Sequence, residues 1–347
     1  GRQQHGGYLM NKKLKNILAV TGAATVTAAV VYGLNVLDEK KDKKRYPQSG
    51  RMVDVRGHKM HVYTCGAGVN TIVMITGSGT PTPSLDFRPL IDRLAGKYRI
   101  AVPEPFGYGY SDKTTEPRTV QNTVNEMREG LRKAGVFPPY ILLGHALGGI
   151  ETLYWASHYP REVSAVVGLD TTLPSQGGEY SRSPAMHPLM RAYAFLSKIT
   201  PLRFIIKAGA MDNQLTSFTG GHSEFMPIVR SHAANSKTSV SALNELFAVP
   251  QNCAEVAGLN YPASCPVLML VSSESCDAVQ STPALGLDWM GEHEKIAMHS
   301  PKGKCVLLEG GHYLHHTASE AIAAEILSFL PPEESQTPRL KRFLTRK

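Results

Sequence analysis

Short apolar runs alternate with amphipathic segments from about residue 50 to residue 330, and this alternation restricts the folds open to the chain. Residues 71–75 (TIVMI) and 163–169 (VSAVVGL) are apolar runs of strand length, as expected of strands buried on both faces of a sheet. Residues 120–133 and 319–330 carry apolar side chains at helical spacing. Strands that alternate with helices predict an α/β protein with a mostly parallel sheet and helices on both faces.

The pattern predicts eight strands, of which the first two form a hairpin around Gly57. They are expected at residues 51–55, 60–64, 71–75, 98–102, 140–143, 163–169, 266–271 and 305–308. Residues 171–262 interrupt the alternation, because they hold no clear buried strand and are too long for a connecting loop. We predict helices there near 187–198, 202–209, 224–234 and 240–247. Residues 50–170 and 263–331 are then the core, and residues 171–262 are a helical insertion after the sixth core strand.

The most informative turn lies in residues 140–149, which read YILLGHALGG. A buried strand is expected to end at Gly144 and a helix to start at about Leu147, so the chain must turn sharply at Ala146. Glycines two positions before and after the turn let the strand and helix backbones approach closely. This is the G-x-S-x-G spacing with alanine in the position of serine. A dinucleotide-binding turn fits poorly, since it needs G-x-G-x-x-G after the first strand.

With this turn in place, the chain resembles the α/β-hydrolase superfamily from about Arg51 to Leu330. Four further segments occupy family positions in the correct order: ITGSG at 75–79, PFGYGYSD at 105–112, Tyr159-Pro160 before the sixth strand, and GGHY at 310–313. The resemblance implies the α/β-hydrolase fold, with a mostly parallel eight-stranded sheet, helices on both faces and residues 171–262 as a helical cap.

The resemblance also implies a set of site residues. Ala146 occupies the nucleophile position, and His312 the position of the catalytic base. The backbone N–H groups of Ser78 and Leu147 would form the oxyanion hole, and Gly77 and Gly79 would line the substrate site.

The third member of the catalytic triad is an acid that holds the histidine, and three carboxylates are candidates for it. The usual family position, after the seventh strand, falls on Ser275, so Glu274 or Asp277 would serve if the loop is shifted. Asp170, after the sixth strand, is the other candidate. No metal or organic cofactor is expected.

The methyl group of Ala146 cannot attack a carbonyl, and two explanations compete. We favour an engineered Ser→Ala change, because His312, the glycines of the turn and the oxyanion loop are all retained. The parent would then be a serine hydrolase that cleaves a carboxylic ester, lactone or small amide. The alternative is a natural, non-catalytic, membrane-anchored protein that kept the pocket for binding or sensing.

The formal net charge of +8 is unevenly spread. Basic residues flank an uncharged stretch at 17–37, which is long enough to cross a bilayer. We expect a basic segment at 1–16, a single-pass transmembrane or signal-anchor helix at 17–37, a charged linker at 38–49 and a basic tail at 332–347. Residues 1–9 precede Met10 and are expected to come from the vector or from a misassigned start.

This charge distribution favours anionic lipid head groups over nucleic acid as a partner. No helix-turn-helix, zinc-finger or RNP-like signature supports nucleic-acid binding. We expect the protein in a membrane, with the hydrolase domain outside the cytoplasm.

The sequence has five cysteines and no C-x-x-C pair, which argues against a zinc site. We expect most of them to be buried thiols. The alternative is one disulfide, Cys253–Cys265 or Cys276–Cys305.

Overall fold

A computed structural model of the chain describes residues 12–178, 186–236, 239–282 and 286–331. Its core is one eight-stranded sheet. The strands are β1 Arg51–Val55, β2 His58–Cys65, β3 Thr71–Ile75, β4 Arg99–Pro103, β5 Tyr140–His145, β6 Val163–Leu169, β7 Val267–Ser272 and β8 Gly303–Leu308. All eight lie at or within a few residues of their predicted positions, since each has the apolar run of a buried strand or the alternation of the hairpin.

The strand order across the sheet is β1-β2-β4-β3-β5-β6-β7-β8. β2 pairs antiparallel with β1 and with β4, whereas β4, β3, β5, β6, β7 and β8 pair in parallel. The predicted α/β-hydrolase fold with a mostly parallel sheet is thereby confirmed. The carboxyl ends of the parallel strands meet at one edge, where an open α/β sheet places its ligand site.

Helices cover both faces of the sheet. The α-helices are α1 Lys12–Arg45, α2 Pro83–Asp86, α3 Arg88–Leu94, α4 Val120–Lys133, α5 Gly148–His158, α6 Met186–Ile199, α7 Leu202–Ile205, α8 Asp212–Leu215, α9 Met226–Ser236, α10 Val240–Val256, α11 Ser273–Gln280, α12 Trp289–Met298, α13 Leu314–Thr317 and α14 Ser319–Phe329. One buried cluster joins the sheet to α4, α5 and α12, and a second joins its other face to α3 and α14.

Helices α6 to α10 are inserted between β6 and β7, where the sequence predicts helical segments. α10 is longer than expected and passes through Pro250 to end at Val256. A proline usually ends a helix, but Val249, Cys253 and Val256 bury against the main core and hold the last turns in place. Tertiary packing therefore overrides the local signal.

The predicted linker at 38–49 is wrong, because α1 continues as one helix to Arg45. Asp38 and Asp42 lie on this helix and pair with Arg203 and Lys207 of the insertion, at N–O distances from 2.5 to 2.9 Å. These long-range ion pairs order a segment whose charge alone suggested a solvated linker. By length and composition, Val20–Arg45 could cross a membrane.

The five cysteines are free thiols, so neither disulfide alternative is present. Burial raises the pKa of Cys253 and of Cys265 to about 11. Both thiols are therefore protonated at neutral pH and weakly nucleophilic.

Candidate active site

The turn between β5 and α5 places Ala146 at the carboxyl edge of the sheet. Its φ of 49° lies in the left-handed region, which non-glycine residues seldom adopt. Three backbone hydrogen bonds fix this conformation: the Ala146 N–H donates to Leu169 O at 3.3 Å, and the Ala146 carbonyl accepts from Gly149 N and from Thr172 N, each at 2.9 Å. Strained residues of this kind concentrate at functional sites.

The glycines around Ala146 are required by close packing. A Cβ on Gly144 would lie 2.7 Å from the carbonyl oxygen of Gly148, and a Cβ on Gly148 would lie 2.5 Å from the carbonyl oxygen of Ile75. Both contacts are with backbone atoms, and these cannot shift without distorting the strand or the helix. The close approach expected from the sequence is therefore present.

His312 lies in the turn between β8 and α13. Its Nδ1 is 2.7 Å from Oδ2 of Asp170, and its backbone carbonyl lies 3.1 Å from Nε2 of His145. The His312 side chain is 43% exposed whereas Asp170 is fully buried. The imidazole is therefore held from behind by a carboxylate and stays open to a ligand.

Asp170 follows β6 and receives several hydrogen bonds besides the one from His312. Its Oδ2 accepts from Ser275 Oγ at 2.6 Å, and its Oδ1 accepts from Trp289 Nε1 at 2.9 Å and from Ser272 N at 3.0 Å. Burial favours the neutral acid, but these donors together hold the pKa of Asp170 below its usual value. The carboxylate is therefore charged at neutral pH.

The other two candidate acids lie on α11. The N–H of Glu274 donates to Gly310 O at 3.3 Å, and its carboxylate lies beside Gly311. In the described part of the chain, neither Glu274 nor Asp277 accepts a hydrogen bond from His312. Of the three carboxylates, the structure brings Asp170 to the imidazole.

The loop after β3 runs against Ala146. A Cβ on Gly77 would lie 2.9 Å from the Cβ of Ala146, and Gly79 N donates to the Tyr108 hydroxyl at 3.1 Å. Across the described residues, the backbone N–H groups of Ser78 and Leu147 donate to no protein acceptor. They therefore remain available to a ligand oxygen.

The insertion contributes a residue that the sequence did not reveal. Glu245 of α10 accepts hydrogen bonds from Ser78 Oγ at 3.0 Å and from the Tyr108 hydroxyl. It also lines a small cavity with Leu147 and Glu151. Burial raises the pKa of both Glu245 and Glu151. Tyr108 lies in a recognisable motif, but nothing local marks Glu245.

A second polar cluster joins α2 to α13. Asp86, His315 and His316 form a group whose ligand atoms lie within 4.8 Å of one another and could hold a metal ion. The Nε2 atoms of the two histidines are 3.1 and 2.6 Å from Oδ1 of Asp86. Against the effect of burial, the two imidazoles hold the pKa of Asp86 well below its usual value. The short contacts describe a buried carboxylate that neighbouring imidazoles stabilise directly.

Comparison with known proteins identifies the family and the fold of the chain. Residues 70–242 match a family model described as the alpha/beta hydrolase fold. The uncharacterized protein YbdG of Bacillus subtilis is 34% identical over 198 residues, which are 57% of this chain and 61% of that protein. A 2-hydroxymuconate semialdehyde hydrolase of Pseudomonas sp. is 27% identical over 122 residues, 35% of this chain and 43% of the relative. The matches thus span less than two thirds of either relative.

Solved structures agree on the fold. Cfl2 from Burkholderia cenocepacia has a TM-score of 0.60 at 18% identity, and covers 80% of this chain and 94% of its own. Epoxide Hydrolase A from Mycobacterium thermoresistibile has a TM-score of 0.57 at 18% identity, and the match covers 82% of this chain and 99% of that chain. At such identities the likeness shows the fold alone. Together with the family match over 70–242, it shows that the chain belongs to the α/β-hydrolase superfamily.

Proposed function

We propose that the form of this protein with serine at position 146 is a serine hydrolase that cleaves a carboxylic ester, lactone or small amide. The observation that carries the proposal is the 2.7 Å contact between His312 and the buried Asp170, at the sheet edge that also holds the strained turn at Ala146. The hydrolase relative and the superfamily fold support the broader class.

In this mechanism, a hydroxyl at position 146 attacks the substrate carbonyl while the free Nε2 of His312 takes its proton. Asp170 holds the imidazole in one tautomer and stabilises the imidazolium that forms. The free N–H groups of Ser78 and Leu147 stabilise the oxyanion. His312 then protonates the leaving group, and a water molecule that it activates releases the acyl group. With Ala146 the first step has no nucleophile, so the chain binds substrate without turnover.

Ala146 also fits a second candidate, in which the protein is a natural, membrane-anchored binding or sensor protein without hydrolase chemistry. The two candidates differ in what a restored hydroxyl does. The test is to measure hydrolysis of short p-nitrophenyl esters by the Ala146→Ser variant. Turnover that a further His312→Gln substitution abolishes supports the hydrolase. A correctly folded Ala146→Ser variant with no turnover on esters, lactones or amides supports the binding protein.

We also propose that α1 anchors the protein in a membrane. Apolar residues of this helix are exposed, among them Val26 and Val30, and Val20–Arg45 is long enough to span a bilayer. The test is flotation of the full chain with lipid vesicles. Co-flotation that resists high salt supports the anchor, and a chain that stays at the bottom of the gradient contradicts it.

The proposed orientation places the hydrolase domain outside the cytoplasm. Protease protection in intact cells tests it: digestion of the domain by external protease supports this orientation, and full protection contradicts it.

A further inference from the structure

An apolar stripe lies exposed on α6 of the insertion. Leu189, Tyr193 and Leu196 are each more than half exposed, and their spacing of four and three residues puts them on one face of the helix. Phe195 beside them is 64% exposed. Large contiguous apolar patches are unfavourable when exposed to water, and they mark interaction sites. The stripe therefore needs an apolar partner.

α1 packs against α6, the helix that carries this stripe. The side-chain amide of Asn35 donates to the carbonyl of Lys198 at 2.8 Å and to that of Thr200 at 3.3 Å, so the carboxyl end of α6 meets α1 at residue 35. Residue 35 is close to the end of the uncharged stretch at 17–37. The end of α6 thus lies at the level where α1 would leave a bilayer.

The ion pairs between α1 and the insertion fix this arrangement. Arg203 binds Asp38 at 2.6 Å and Asp42 at 2.5 Å, and Ser231 Oγ donates to Asp42 at 2.6 Å. Arg203 and Asp42 are buried, and breaking a buried pair is strongly destabilising. The insertion is therefore held rigidly against α1 and does not move independently on a tether.

Exposed basic residues lie on both helices. α1 presents five of them after Asp38 and Glu39, which follow its apolar stretch, and α6 adds two. They are Lys40, Lys41, Lys43, Lys44, Arg45, Arg191 and Lys198. An apolar face bordered by lysine and arginine is typical of a helix that lies in the interface of an anionic bilayer.

We propose that the exposed face of α6, which comprises Leu189, Tyr193, Phe195 and Leu196, docks onto the lipid bilayer beside α1. This proposal rests on the proposed anchoring by α1 and adds a second contact, which places the insertion in the membrane interface. His187 of α6 stacks on Phe247 of α10 at 3.9 Å, and α10 carries Glu245, which contacts Ser78. One helix layer therefore separates the lipid-facing stripe from the oxyanion loop, so an ester or amide dissolved in the bilayer is the favoured substrate class.

The experiment uses the full chain in vesicles of phosphatidylcholine and phosphatidylglycerol whose acyl chains carry bromine. Phe195→Trp places a fluorophore on the exposed face of α6, beside the stripe, and Phe137→Trp places the matched control at another exposed phenylalanine, which is 64% exposed. The native Trp155 and Trp289 are buried and give a constant background. We expect brominated lipid to quench the tryptophan at position 195 by at least about half and to leave that at 137 unchanged.

Each outcome decides the proposal. Quenching at 195 with none at 137 supports it. No quenching at 195 overturns it, and flotation of the same sample then shows whether α1 still anchors the chain, so the two failures are distinguishable. Equal quenching at both positions overturns it, since contact would then be nonspecific. A blue-shifted, unquenched signal at 195 that depends on protein concentration assigns the face to a second copy and also overturns it.

Folding of the variants is checked independently. The triple substitution Leu189→Ser, Tyr193→Ser and Leu196→Ser in the Phe195→Trp background keeps the buried side of α6, formed by Ala194 and Ser197. We expect it to reduce quenching at least about threefold with unchanged circular dichroism. Unchanged quenching in this folded variant contradicts the proposal.

Discussion

Nδ1 of His312 lies 2.7 Å from Oδ2 of Asp170, although the two residues follow strands that are not neighbours. Asp170 follows β6 and His312 follows β8, with β7 between them. Ser272, the last residue of β7, bridges the gap: its N–H donates to Asp170 Oδ1 at 3.0 Å, and its hydroxyl donates to Gly310 O at 2.6 Å. The end of β7 thus positions both members of the pair.

If Asp170 is the triad acid, its substitution lowers kcat far more than substitution of Glu274 or Asp277. In the Ala146→Ser background, we expect Asp170→Asn to lower kcat by about 10⁴-fold, because the imidazole then takes the wrong tautomer. Glu274→Gln and Asp277→Asn are the controls, and each is expected to retain activity within about threefold, since neither carboxylate accepts a hydrogen bond from the imidazole. Steady-state kinetics on a p-nitrophenyl ester measures the effect. A larger loss in either control than in Asp170→Asn reassigns the acid.

The turn at Ala146 depends on glycine at position 144. We expect Gly144→Ala to lower the free energy of unfolding by about 1–3 kcal/mol, because its Cβ would meet the carbonyl of Gly148 at 2.7 Å. Gly96→Ala is the matched control, since a Cβ at that position meets nothing within 4 Å. Denaturant unfolding in detergent compares the two variants, and equal stabilities refute the packing argument.

A buried ion pair between β2 and the residue after β4 makes stability depend on pH. His61 Nδ1 lies 3.0 Å from Glu104. Burial opposes charge on both groups, yet Glu104 raises the pKa of His61 and His61 lowers that of Glu104. The contribution of His61 to the free energy of unfolding is complete below the unfolded-state pKa of 6.5. It is lost as the pH rises through the higher pKa that His61 has in the folded state.

We therefore expect Glu104→Gln to lower the free energy of unfolding more near pH 5.5 than near pH 9, by about 1 kcal/mol. Denaturant unfolding of both proteins at the two pH values measures the difference. The reverse dependence on pH, or none, contradicts a charged pair.

Docking of α1 depends on Asp42. We expect Asp42→Ala to leave Arg203 and Lys207 without a buried partner and to speed tryptic cleavage after Lys40–Arg45 by at least about tenfold. Asp92→Ala, which breaks the exposed Arg88–Asp92 pair, is the control and should leave the rate unchanged. Cleavage that is equally fast in the parent chain would show that α1 is not docked.

The parts of this fold that were predictable are those with a local signal. The run at 71–75 and the segment at 140–149 carry the spacing of a buried strand and of a strand–turn–helix, so β3, β5 and the turn at Ala146 lie where the sequence places them. His312 was similarly marked by its two glycines and the helix that follows.

The parts that were not predictable depend on contacts between distant residues. The choice among Asp170, Glu274 and Asp277 depends on where β7 ends and on a helix, α11, that the sequence did not reveal. Helical continuation to Arg45 depends on ion pairs with Arg203 and Lys207, more than 150 positions away. Charge and spacing alone do not show such pairs.

The most direct test of the central claim is covalent labelling of the Ala146→Ser variant by a fluorophosphonate, read by intact mass. The account predicts one adduct on the residue at position 146, and a loss of labelling rate of at least about 10³-fold when His312→Ala is added. The chain with Ala146 should take no label. An unlabelled Ala146→Ser variant that is correctly folded, or labelling that does not depend on His312, would contradict the proposed hydrolase site.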